Sequence, residues 1–185
     1  MKGVPEIHFV NVGNGRLALF HRLGHRAFPR LHELGCTHIV TLLKESEGAH
    51  NIGQQARNAG FEWVWLPVPN GNHPEGEVHQ RIIQAMPQLS QLLDEGKSVL
   101  IHCSAGVHHT GTVAYGLLRG RGLDRAQALK LIAEARKETA EGMGTKRMRW
   151  GDENARILEY QKLPWTKSIQ KWIQSLLVRR REPNP

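Results

Sequence analysis

The sequence predicts an α/β domain, a central and mostly parallel sheet flanked by helices. Three observations predict it. Short β-rich apolar runs recur along the chain, namely Ile7–Val12, Arg16–Phe20, Thr37–Leu43, Phe61–Leu66 and Val99–Ile101. Segments of helical periodicity separate most of them, the alternation typical of strands joined through crossover helices. One of the runs, Val99-Leu100-Ile101, empties through His102-Cys103 into a loop of small residues and then a helix start near Thr110. Ligand sites in open α/β sheets lie at such carboxyl ends of strands.

Taken in order, the first two strands are joined by Gly13-Asn14-Gly15, a hairpin signal. Phe28–Gly35 reads as a short helix stopped by glycine. Strand Thr37–Leu43 follows, then a helix over Asn51–Ala59 closed by Gly60, then strand Phe61–Leu66. Pro67–Pro74 holds too much Pro, Gly and Asn for regular structure and is expected to be a loop. Gly76–Glu95 is amphipathic, with Val78, Ile82, Ile83, Met86, Leu89, Leu92 and Leu93 at helical spacing and a break or kink expected at Pro87. After the central strand come a buried helix over Thr110–Arg119 and, capped by Asp124, a second over Arg125–Thr139. Ala140–Asp152 is expected as a glycine-broken basic loop leading to a helix over Glu153–Gln161. Pro164-Trp165 then opens a tail helix whose stripe of Trp165, Ile169, Trp172, Ile173, Leu176 and Leu177 ends in Arg179-Arg180-Arg181. The expected division is therefore a domain over 1–163 and a basic amphipathic helix and tail over 164–185.

A strand that runs through a small-residue loop into a helix N-terminus makes an anion cradle. Backbone N–H groups point inward and the positive end of the helix dipole faces the ligand. In Ser104-Ala105-Gly106-Val107-His108-His109, Gly106 lets the backbone approach an anion without a Cβ in the way. The same field favours thiolate over thiol, which makes Cys103 the expected nucleophile, with the Thr110 hydroxyl as a donor to its sulfur.

This segment resembles the signature of the cysteine-based protein tyrosine phosphatases, closest to the dual-specificity branch, His-Cys-x5-Arg-Ser/Thr. His102, Cys103, Gly106, Thr110 and Gly111 fall in register, and His109 stands where the family has its arginine. The resemblance covers the chain to about Leu163 and implies the phosphatase fold, a phosphocysteine on Cys103, and a His102 that orients the loop. It also places the mobile general-acid loop at Pro67–Pro74, where the family's Pro-x-Pro-Asp-Gly becomes Pro67-Val68-Pro69-Asn70-Gly71. An amide cannot protonate a leaving oxygen, so His73 and Glu75 become the candidate acids. A guanidinium offers five fixed donors and an imidazolium two, so His109 replaces the arginine only in part. By the same resemblance, Arg147 or Arg149 would lie near the phosphate pocket and fill some of that space.

Composition narrows the classes. The 185 residues carry a net charge of +8, and +6 of it lies from Thr145 onward. Such a surface favours phosphorylated, nucleic-acid or anionic-lipid partners. No apolar run is long enough for a membrane span and the first residues show no signal pattern, so a cytoplasmic protein is expected. Two cysteines give no disulfide framework; Cys36 is expected as a core thiol, with a protective disulfide to Cys103 as its functional alternative. Eleven histidines form no zinc-like spacing, and neither a metal nor a cofactor is expected. Two functions remain open. One is a phosphatase, atypical and slow, acting on a phosphorylated protein, nucleotide or nucleic-acid end. The other is a pseudophosphatase that binds such a group without turnover. The tail is expected to pack on the domain or a second copy, with contact to an anionic surface as the alternative.

Overall fold

The computed structural model describes residues 6–69 and 74–158, with the side chains of 156–158 left aside. Five strands form one sheet: β1 (Phe9–Val12), β2 (Gly15–Phe20), β3 (His38–Thr41), β4 (Glu62–Trp65) and β5 (Ser98–His102). Their order is β1-β2-β5-β3-β4, with β1 and β2 antiparallel and every other pair parallel. The mostly parallel sheet expected from the sequence is thus present, with β5 at its centre.

The two-residue period of the strands divides the core. Leu17, Leu19, Val40, Val99 and Ile101 face one side and pack under α3 (Gly76–Asp94), α4 (His108–Gly120), α5 (Arg125–Ala135) and α7 (Thr145–Leu158). Ala18, Phe20, Ile39 and Leu100 face the other, under α1 (Ala27–Glu33) and α2 (Ala49–Asn58). β5 is buried at every position, which is why its sequence is a continuous apolar run rather than an alternating one.

Three expectations are corrected. Helix α3 runs unbroken through Pro87, because Ile82, Ala85, Met86, Leu89 and Leu93 hold one face against the core on both sides of the proline. The helix expected over Arg125–Thr139 breaks at Arg136, whose backbone is extended (φ −163°, ψ 108°), and resumes as α6 (Lys137–Gly142). The segment expected as a loop over Ala140–Asp152 is mostly helical, since α7 already starts at Thr145. The local pattern reads glycine as a helix breaker, but here Gly142 and Gly151 permit close approach. A Cβ at Gly142 would stand 2.6 Å from Val107 Cγ1, and one at Gly151 2.5 Å from Tyr115 Cδ1. Cys36 is the buried core thiol expected, and its alternative pairing fails, because Cys36 and Cys103 lie at opposite ends of β5. The Cys36 sulfur is beside the carbonyls of His38 and Ser98 at the strand's start, whereas Cys103 follows its end, and five strand residues span about 16 Å. A disulfide between them is excluded. The tail over 164–185, with its expected helix, and the loop residues Asn70 and His73 lie outside the described residues. Among those described, no helix is long and apolar enough to cross a membrane.

Candidate active site

The loop Cys103–Val107 leaves β5 and enters α4 at His108, the strand–loop–helix expected from the sequence. Its polarity is set from both sides. On the inner side the Gly106 N–H donates to Cys103 Sγ at 3.2 Å. On the outer side the carbonyls are taken up by neighbouring elements. Arg136 Nη1 donates to the carbonyls of Ala105 (3.0 Å) and Gly106 (2.8 Å), Thr139 Oγ1 donates to Gly106 O at 2.6 Å, and the Arg22 N–H donates to Ser104 O at 2.9 Å. Carbonyls fixed outward leave the amides free to face inward, the arrangement an anion nest requires. Gly106 adopts φ +71°, and a Cβ there would stand 2.5 Å from Phe20 O. No other residue fits this turn without moving the backbone.

Sequence reasoning missed Arg136 and Thr139. Arg136 sits at an unusual break between two helices, and the only signal was a basic residue interrupting an otherwise periodic run. Its guanidinium places a positive charge directly behind the cradle.

His102 is fully buried, and desolvation holds its pKa down at about 3. Its Nε2 lies 2.8 Å from Thr41 Oγ1, and the same hydroxyl accepts from Trp63 Nε1 at 2.8 Å. Its electrostatic neighbours are the Cys103 backbone, Arg22 and His21. Cys103 keeps 4% exposure at the floor of the loop, while Ser104, Ala105 and His108 are exposed and Val107 and His109 half-buried. Thr110 Oγ1 is buried with no hydrogen-bond partner, so the expected bond to the sulfur is not formed here.

At the start of α4 three basic side chains gather. The pKa of His108 is lowered by desolvation and then by repulsion from Arg147 and His109. Arg147 is therefore within electrostatic reach of this helix end, and its Nη1 also donates to Met143 O at 3.1 Å. Arg149, two residues further along α7 and so on the other side of the helix, is exposed. Glu75 stands exposed as the residue before α3.

A model of the family described as Swiss Army Knife protein, DSP-PTPase phosphatase domain (PTP-SAK), matches residues 10–153. The chain belongs to this phosphatase family. Membership places it in the cysteine-based, dual-specificity branch of the protein tyrosine phosphatases. Laforin of Mus musculus is 28% identical over 112 residues, 52% of this chain and 33% of laforin, so the chain spans about a third of that relative's length. Solved structures agree on the fold. Kinase associated phosphatase superposes with a TM-score of 0.65 at 17% identity, covering 85% of this chain and 98% of its own. PTPMT1 in complex with PI(5)P gives 0.66 at 15%, covering 82% and 96%. Human DUSP28 gives 0.59 at 18%, covering 77% and 93%.

Proposed function

We propose that this phosphatase-family chain hydrolyses phosphomonoesters slowly, through a covalent intermediate on Cys103. The thiolate attacks phosphorus and the P–O bond to the leaving alcohol or phenol breaks, that oxygen taking a proton. Water then attacks the phosphocysteine, the S–P bond breaks, and inorganic phosphate leaves with the thiolate restored. The observation that carries this reading is the 3.2 Å bond from the Gly106 amide to the Cys103 sulfur, inside a loop whose carbonyls are turned away. The loop amides, the α4 N-terminus and the Arg136 charge behind it all favour a dianion above the sulfur.

Slowness follows from residue chemistry. Removing one donor aimed at a transition-state anion costs roughly 10²–10³ in rate, and losing a general acid costs about 10²–10⁴. The His109 ring returns part of the first loss by donating to the phosphoryl group, with Arg147 within electrostatic reach of the same helix end. His73 or Glu75 is the proposed source of the proton that Asn70 cannot give. A substrate with a good leaving group, such as a phosphotyrosine-like aryl ester, needs that proton least.

One observation favours the second reading, a pseudophosphatase. The cradle's supports are all in place while the arginine position is His109, so binding is built more completely than turnover. Phosphate release from an aryl phosphate and a phosphopeptide by the natural chain and by Cys103→Ser tests the two. Release by the natural chain alone supports the hydrolase; equal rates overturn it.

A further inference from the structure

Resting on the reading of Cys103 as the working nucleophile, we propose that Trp63 and Thr41 are positioning residues: indole N–H, threonine hydroxyl and His102 ring form a one-way hydrogen-bond relay across three adjacent strands that fixes the tautomer of His102 and through it the Cys103 backbone.

Donor counting fixes the first step of the relay, and the second is the step proposed. An indole N–H can only donate, so Trp63 uses an acceptor site of Thr41 Oγ1 at 2.8 Å. A threonine hydroxyl can accept twice and has one proton of its own; in the relay proposed it gives that proton to His102 Nε2, also at 2.8 Å. Nε2 must then carry its lone pair, which puts the ring proton on Nδ1. That nitrogen is fully buried with no partner at hydrogen-bond distance, and of the groups acting on the ring the Cys103 backbone is the one that favours a proton on it. Burial keeps the ring neutral, so the choice of tautomer is a real one rather than a doubly protonated imidazolium. The charged and titratable groups that face the ring are Arg22 and His21 from the segment after β2, and both oppose a proton on it.

Each member is held. Thr41 and His102 are register partners on β3 and β5, and Trp63 lies on β4 beside β3. Thr41 and His102 are 0% exposed and Trp63 4%, so water does not compete for these bonds. The indole is clamped from outside the sheet. A Cβ on Gly53 of α2 would stand 2.5 Å from Trp63 Cε2, and the Arg57 guanidinium lies 4.9 Å from the ring centroid. Gly53 is thus the space that lets the indole reach Thr41. A buried aromatic packed for apolar contact alone has no need to aim its single N–H at a hydroxyl that already faces the histidine of the signature.

The test reads the relay directly. In 15N-labelled protein at pH 7, long-range 1H–15N NMR of His102 is expected to show a protonated Nδ1 and a bare Nε2. Thr41→Val, which keeps the shape and removes the hydroxyl, is expected to shift His102 toward the Nε2–H form and to lower kcat about tenfold with KM changed less than threefold. Thr41→Ser is expected to restore both. Trp63→Phe is expected to show a partial shift, with far-UV circular dichroism confirming the fold. An Nε2–H tautomer in the natural chain, or a Thr41→Val protein with unchanged tautomer and kcat, overturns the proposal. A correct tautomer that responds to Thr41→Val in a chain with no turnover supports the relay and instead sinks the hydrolase reading.

Discussion

The two cysteines of this chain sit at the two ends of one strand and meet opposite chemistry. Cys36, at the amino end of β5, faces carbonyls: its thiol donates to His38 O at 3.4 Å and Ser98 O at 3.7 Å, and burial pushes its pKa up to about 12. Cys103, past the carboxyl end, receives an amide N–H on its sulfur instead. Both residues are buried, 7% and 4% exposed, so burial does not separate them. The polarity of the surrounding backbone does. A parallel strand presents carbonyls or amides to whatever follows it, and the loop after β5 is braced so that amides face in. The same residue type is an inert core thiol at one end and a candidate nucleophile at the other.

Several substitutions break or sharpen that contrast. The largest effect is expected from Cys103→Ser, which should remove turnover entirely, while Cys36→Ser leaves kcat within about twofold; phosphate-release assays on both variants check this. Next, Arg136→Gln removes a charged donor from the Ala105 and Gly106 carbonyls. Hydrogen bonds to charged groups are worth about 1.5–3 kcal/mol, so phosphate affinity should fall about 10- to 100-fold by isothermal titration. Third, His109→Arg combined with Asn70→Asp should raise kcat at least about tenfold on an aryl phosphate. No gain would mean the chemistry is not the family's.

The last expected effect is on stability against pH rather than on turnover. His102 has its folded pKa lowered to about 3 from an ordinary 6.5. Below pH 6.5 the unfolded chain therefore binds a proton that the folded one refuses. The stability this ring confers is full above 6.5 and is lost as pH falls toward 3. His102→Asn should flatten that acid limb of a urea-melt series relative to the natural chain. Cys36 acts at the other extreme: with its pKa raised from 9.0 to about 12, it costs stability as pH climbs through that window, and Cys36→Ala should lessen the alkaline loss.

How much of this was legible beforehand depends on the range of the interaction. The strands and the signature loop were readable because β-branching, Gly106 and the His-Cys step are local signals. Arg136 and Thr139 were not, because their value lies in reaching Ala105 and Gly106 some thirty residues earlier in the chain. The break at Arg136 is likewise a tertiary effect, since nothing in Ala135-Arg136-Lys137 forbids helix. Gly142 and Gly151 show the same limit in reverse: glycine reads locally as a stop, but against Val107 and Tyr115 it is an absent side chain. Thr41 and Trp63 looked like ordinary strand residues, and only the sheet order brings them to His102. Cys36 is the core thiol that was expected, and its alternative pairing with Cys103 is ruled out by strand direction, which composition alone does not show.

The most direct measurement is protection of the two thiols from iodoacetamide, read residue by residue by mass spectrometry, with and without saturating inorganic phosphate. If the loop holds a phosphoryl group over the sulfur, phosphate should slow alkylation of Cys103 at least about tenfold and leave Cys36 unchanged. Equal alkylation of Cys103 in its presence and absence would contradict the account.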